Sequence, residues 1–458
     1  MSIVPPFVGL CLLLLLGHIL RTRIRLFQKM YLPSCVIGGL VGLVVVHLLR
    51  TSGSPAVGVW TAGWGSLPGF LINIVFACLF LGVSLPKVSE LWHRAGPQVV
   101  YGQIVAWGQY VVGVGLVLFL LGGIFGLPAM FGGILPVGFE GGHGTAGGMA
   151  ATFDKLGWKE GKDFALASAT CGIISAILVG MMLVNWAVRK GHVVKQLNPE
   201  DVAEDDTVGI IPVDQRPVAG RLSVKSDAID SFTLHVAIIG FAILLGYGMK
   251  LGLNWLGRVT QPNAKTPLLA SFPLFPLCMI GGLIVQLLED KFDRHKLIDV
   301  GLVRRIQNTS LDFLVVAAIA TINLKVIEKG WVPLLILVLA GIAWNVFCVL
   351  VLARRILPNA WFERSIAEMG QSMGVTATGL LLLRVVDPDY ETPAADAFAC
   401  KQIIHEPFMG GGLWTSTAIP LLAMWGGWPV FGICVGVIAV WFVIAFGPMR
   451  RRVPASPD

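Results

Sequence analysis

The chain has 458 residues, 55% of them hydrophobic and only 13% charged, with a mean hydropathy of +0.77. A water-facing surface of ordinary charge density cannot be built from this composition, which excludes a soluble globular protein and points to a bilayer. The formal net charge of +7 is spread over loops beside apolar runs, so it reports membrane topology and leaves no nucleic-acid footprint.

The first apolar run, MSIVPPFVGLCLLLLLGHIL, has no positive n-region and no small-residue cleavage site. It reads as a retained first helix rather than a signal peptide. Apolar runs of about 20 residues, each able to cross roughly 30 Å of hydrocarbon, predict crossings in order. They lie near Ile3 to Leu20, Tyr31 to Leu49, Leu67 to Leu85, Gln98 to Phe125 and Phe164 to Val188, then Phe232 to Leu256, Pro267 to Leu288, Thr309 to Leu324, Trp331 to Ala353, Ala397 to Leu422 and Trp428 to Phe446. Two more segments, about 128–153 and 365–383, are apolar but broken by glycine and polar residues. They are expected to enter and leave on one side. Between the halves, Arg189 to Asp230 carries prolines and mixed charge and reads as a cytoplasmic linker.

With those two segments as hairpins, Lys and Arg concentrate in alternate loops, from Arg21, Arg23, Arg25 and Lys29 in the first to Arg450, Arg451 and Arg452 at the end. The asymmetry predicts an outside N-terminus and a cytoplasmic C-terminus in the cytoplasmic membrane. The eight cysteines fall in or beside apolar runs with no metal-ligand spacing, so they read as small buried hydrophobes.

Each half repeats one order of parts: long spans, a Gly/Thr-interrupted segment, a charged turn, another span. In the first half the parts are Gly144-Thr145-Ala146-Gly147, Asp154-Lys155 and a helix opening at Asp163. In the second they are Gly374-Val375-Thr376-Ala377-Thr378-Gly379, Asp387-Pro388-Asp389 and a helix opening at Thr392-Pro393. Five crossings separate equivalent points, and an odd number inverts one half against the other. The expected fold is therefore an all-α polytopic membrane protein of two inverted repeats, each of five transmembrane helices plus a re-entrant hairpin, with an extra C-terminal helix. The divisions are 1–190, a linker 191–230, 231–424 and 425–458. Non-helical backbone in a bilayer is tolerated only where protein or a watery cavity satisfies it, which makes both tips cavity-lining. Broken helices meeting near the midplane are the architecture of secondary transporters, with helix N-termini for carboxylates and unwound carbonyls for Na⁺.

At these same residues the chain resembles the sodium/glutamate symporter family. GGHGTAGG at 141–148 resembles that family's glycine hairpin motif, GVTATG at 374–379 its second hairpin, and YLPSCVIGGLVG at 31–42 the start of its second span. The resemblance implies Na⁺-coupled uptake of L-glutamate by elevator-like alternating access, and a homodimer. Two stretches depart from it: Glu140 precedes the hairpin glycines, and KQIIHEPF at 401–408 puts charge into a span.

The candidate substrate-binding residues are Gly141, Gly142, His143, Gly144, Thr145, Gly374, Val375, Thr376, Ala377 and Thr378. The candidate Na⁺ ligands are Glu140, Asn73, Thr145 and Thr376. Each has a plainer reading. His143 either binds a carboxylate or braces the turn, Glu140 either ligates a cation or pairs with a nearby Lys or Arg, and the threonines either ligate or bond carbonyls of their own helix. Lys401, His405 and Glu406 share a helix face and read as an internal charged network more than as substrate contacts. With no phosphate-binding GxxxxGK[ST] and no HExxH in the sequence, neither ATP-driven transport nor zinc hydrolysis has a signature. A channel remains the other non-enzymatic reading. Within carriers, H⁺ in place of Na⁺, or a dicarboxylate or hydroxycarboxylate in place of glutamate, stays open.

Overall fold

The computed structural model describes residues 3–30, 32–83, 88–194, 210, 211, 213, 216–262, 267–388, 391–447 and 449. Much of the expected linker, and the Arg450 to Arg452 tail used for orientation, lie outside the described residues. All regular structure among them is helical.

The principal helices are α1 (Val4–Arg23), α2 (Ser34–Thr51), α3 (Leu67–Ala77), α4 (Val88–Leu116), α5 (Met130–Phe139), α6 (Gly142–Gly148), α7 (Ala150–Lys155) and α8 (Gly161–Arg189). After the linker come α9 (Ser231–Thr260), α10 (Phe275–Phe292), α11 (Val300–Ala320), α12 (Leu324–Phe347), α13 (Trp361–Val386), α14 (Ala394–His405), α15 (Leu413–Trp425) and α16 (Gly427–Phe446). Among the described residues eight helices are long and apolar enough to cross a bilayer, α13 included. Of the span expected at Leu67 to Leu85, the helix ends at Ala77, and Ser84 and Leu85 lie outside the described residues. The one expected at Ala397 to Leu422 is two helices, α14 and α15, because Pro407 and Gly410 to Gly412 interrupt it and Gly411 takes a left-handed φ of +91°.

Local chemistry sets the ends. Asp230 accepts from the amides of Phe232 and Thr233 to cap α9, Asp299 from Leu302 to cap α11, and Asn323 from Lys325 to cap α12. Proline stands in the first turns of α1, α3 and α10, where its missing N–H is no loss.

Lipid tails are as apolar as leucine, so helix association rests on close packing at small residues. A Cβ on Gly17 would lie 2.2 Å from the Ser34 carbonyl oxygen, and one on Gly38 2.3 Å from that of Leu13, so α1 and α2 touch backbone to backbone. Gly281 does the same for α9 and α10, at 2.1 Å from the Ala242 oxygen. The most apolar stretches of α4 and α13 are 67% and 61% buried, against 22% for α1, α9 and α16. Hence α4 and α13 form the interior, while the outer helices face lipid with side chains such as Phe7, Leu12, Phe241 and Leu244.

Both α4 and α12 continue into a five-residue π-turn, Val117–Leu121 and Cys348–Leu352, and a short last helical piece, before the broken segments begin at Met130 and Trp361. A spacing of 231 residues separates Val117 from Cys348 and again Met130 from Trp361.

Candidate functional site

The first glycine-rich stretch breaks where the sequence placed its break. Its helix α5 ends at Phe139, and Gly142 adopts φ +64°, a conformation that Cβ disfavours. Beside it, α8 serves as a ruler. Phe131 stacks edge-on with Phe164 at 5.4 Å, and further along a Cβ on Gly138 would meet Ser168 at 2.7 Å. Past the break His143 Nε2 lies 3.0 Å from Thr170 Oγ1, and Phe153 ends 5.7 Å from Trp158, ahead of the start of α8.

In α13 the break falls at Gly374 and Val375, and Val375 holds φ 72°, ψ 165°, a strained setting for a β-branched residue. The two arms of α13 lie against each other, with a Cβ on Gly370 only 2.7 Å from Gly379 Cα. On the same ruler Phe362 sits by Trp186 at 6.5 Å, the Met373 carbonyl 2.3 Å from a Cβ on Gly172, and Leu382 2.7 Å from one on Gly180. Both breaks therefore fall beside residues 170–173 of α8.

There they touch. A Cβ on Gly142 would stand 2.4 Å from Val375 Cγ1, and Gln371 Nε2 donates to Glu140 Oε2 at 2.8 Å. Glu140 is 2% exposed; its Oε2 also meets His405 Nε2 at 3.1 Å, while Oε1 is buried with no partner. Lys401 Nζ, on α14, donates to Glu368 Oε1 at 2.6 Å, Gln402 Oε1 at 2.9 Å and Gln371 Oε1 at 3.1 Å. Gln402 Nε2 in turn donates to Thr376 Oγ1 at 2.5 Å. From α4, Gln98 Nε2 donates to Glu368 Oε2 at 3.0 Å and Gln109 Nε2 to the Ser372 carbonyl at 2.7 Å. Ser372 Oγ donates to Asn345 Oδ1 at 2.6 Å. Gln109 Oε1 and Trp414 Nε1 are also buried without a partner, and the Trp414 ring packs tilted against Trp107 with centroids 4.6 Å apart. Buried polar atoms are nearly always satisfied, so the unpartnered ones beside the two broken helices make this the candidate site.

The other sequence candidates sort themselves by contact. Thr145 is buried, its hydroxyl 2.0 Å from where Gly411 would carry a Cβ, so the connection between α14 and α15 closes on the first tip. Thr378 Oγ1 bonds the Gly374 carbonyl within its own helix. Gly141, Gly144 and Ala377 lie at the tips, Ala377 exposed. Asn73 bonds the Gly69 and Phe70 carbonyls of α3 and receives the Cys278 thiol at 3.9 Å, with no hydrogen bond to the tip cluster. Glu140 is partnered by a glutamine and a histidine, where the plainer expectation was a Lys or Arg. The expected network on α14 is there for Lys401 and His405, which join both tips; Glu406 is half-buried just beyond it. Sequence reasoning missed Gln98, Gln103, Gln109, Glu368 and Gln371. Their signal was visible, as amides and a carboxylate inside otherwise apolar spans.

Residues 1–391 match the sodium/glutamate symporter family. The chain belongs to that family. Among curated proteins and among solved structures, nothing matches it. The matched residues include both broken tips, Glu140, Glu368 and Gln371, and end before α14, which carries Lys401 and His405.

Proposed function

We propose that this chain is a sodium-coupled symporter that takes up L-glutamate across the cytoplasmic membrane by elevator-like alternating access. The observation that carries the reading is the meeting of two glycine- and threonine-bearing helix breaks around a buried carboxylate with one oxygen unpartnered. The family supports both the ion and the substrate. In this reading residues 1–190 and 231–424 are inverted repeats, each with a re-entrant hairpin, 191–230 join them, and 425–458 add a helix and a basic tail. Three features favour the repeat: the paired π-turns at a fixed spacing, the paired glycine contacts of α1 with α2 and α9 with α10, and the opposite directions in which α5 and the first arm of α13 run along α8.

The coupling cation binds at Glu140 Oε1, with the Thr145 and Thr376 hydroxyls as further oxygen donors and Asn73 held back by its own helix. The substrate carboxylate meets main-chain amides of Gly141 to Thr145 and of Gly374 to Thr378, with His143 bracing the first tip through Thr170. A bound cation offsets the Glu140 charge, so the substrate anion then enters a centre that repels it less in a low-dielectric environment. The N-terminus lies outside, the C-terminus in the cytoplasm, and the working unit is a homodimer.

Purified protein in liposomes tests this with labelled glutamate, aspartate and citrate under an imposed Na⁺ or H⁺ gradient. Accumulation of glutamate that requires inward Na⁺ is the expected result. Accumulation of citrate in place of glutamate overturns the substrate, and uptake driven by H⁺ alone overturns the ion.

A further inference from the structure

The Lys401 ammonium has an unusual setting. Its side chain is fully buried, and its three N–H groups match three oxygens: the Glu368 carboxylate and the side-chain carbonyls of Gln371 and Gln402. One carboxylate and two amide oxygens, held at a helix break and closed off from water, form the donor set of a hard monovalent cation. Room for the ammonium comes from α4, where a Cβ on Gly102 would lie 2.4 Å from Lys401 Cε and 2.6 Å from Glu368 Oε1. The same glutamines reach both tips, Gln371 to Glu140 and Gln402 to Thr376.

His405 links the same cluster to α4. Trp107 Nε1 can only donate, and it donates to Gln103 Oε1 at 3.0 Å, which turns the Gln103 amide nitrogen toward His405 Nδ1 at 3.3 Å, while His405 Nε2 faces Glu140. Glu368 and Lys401 cancel as an ion pair, and the carboxylate of Glu140 has no such partner among the described residues.

We propose that the Lys401 ammonium is a resident cation that permanently fills a cation position between Glu368, Gln371 and Gln402, so that this centre takes one mobile alkali cation, at Glu140, where two would otherwise bind. The inference rests on the cation-coupled reading above. Replacing Lys401 by alanine exposes the second position. The whole protein then needs one more Na⁺ than before, whereas K401A/E368Q, which removes both charges, returns to the original number.

The measurement is a Na⁺ titration of tryptophan fluorescence and thermal stability in detergent, with choline as the control and no substrate present; Trp107 and Trp414 stand at the cluster. The wild type sets the reference order in Na⁺. K401A is expected to show an order higher by one, with a half-saturation shifted upward at least several-fold, and the double variant the reference order. Recovery of folded K401A only in high Na⁺ supports the proposal equally. It is overturned if folded K401A keeps the wild-type order. It is also overturned if K401A folds at no Na⁺ concentration while the double variant folds, or if neither folds, because the ammonium is then structural. A wild type blind to Na⁺ removes the sodium reading itself, a separate result from a wild type that responds alongside an unchanged K401A.

Discussion

Replacing Gly142 by alanine probes the contact on which the site depends. Two costs follow from the geometry. At φ +64° an L-residue loses about 1–2 kcal/mol relative to glycine. The new methyl carbon, 2.4 Å from Val375 Cγ1, must push the second tip away, an overpacking cost of about 1–3 kcal/mol. Together they amount to about 2–5 kcal/mol, or between one and four orders of magnitude in the population of the closed tips, taking about 1.4 kcal/mol per decade. Initial uptake rate in liposomes and the denaturation midpoint in detergent both read this out. A second change, Val375→Ala, removes the steric part and leaves the backbone part, so G142A/V375A should regain about 1–3 kcal/mol of the loss. Gly142→Ala with unchanged uptake and stability, or a Val375→Ala change that restores nothing, would refute the meeting of the tips.

Three further outcomes follow from the same geometry. Glu140→Gln should fold, since an amide oxygen still accepts from Gln371 and His405, yet lose its Na⁺ response and at least tenfold of its uptake; a variant that keeps its Na⁺ titration contradicts the assigned cation position. Gln103→Leu takes away the amide that holds His405 Nδ1, so the ring should turn more freely beside Glu140 and the Na⁺ half-saturation should shift upward; an unchanged half-saturation contradicts the role given to this contact. On the far side of the protein, His192 accepts from Arg354 at 3.0 Å between Trp186 and Trp361. Partial burial and then the neighbouring Arg354 and Lys190 charges hold this imidazole below its ordinary value of 6.5. A depressed value favours the neutral form when folded, so the contact is at full strength above pH 6.5 and weakens as pH falls through the lowered value. Acid titration should therefore change tryptophan emission in the wild type but not in His192→Gln, and an identical titration in both would remove this assignment.

The glycine-rich stretches could be read directly. At Gly142 and Gly374 the chain must leave helical geometry, and glycine and threonine within an apolar run signal that locally, without knowledge of any partner. Lys401 and His405 were legible as a pair on one helix face for the same local reason. The break between α14 and α15 was not read, although Pro407 and Gly410 to Gly412 announce it, because the apolar residues around them carry the hydropathy of a continuous span. Gln98, Gln103 and Gln109 were passed over since an amide in a span has no motif; only its direction gives it meaning.

The sequence by itself determined that this chain lives in a bilayer, that it is helical, and where the two glycine- and threonine-bearing segments break, because hydropathy and backbone freedom are properties of a residue and its near neighbours. Only the tertiary structure decided that Glu140 faces Gln371 and His405, that Lys401 is enclosed by Glu368 and two amides, and that Asn73 turns away to its own helix. Those pairings join residues up to 265 positions apart. They depend on how helices rotate and approach at their small residues, which no local pattern encodes.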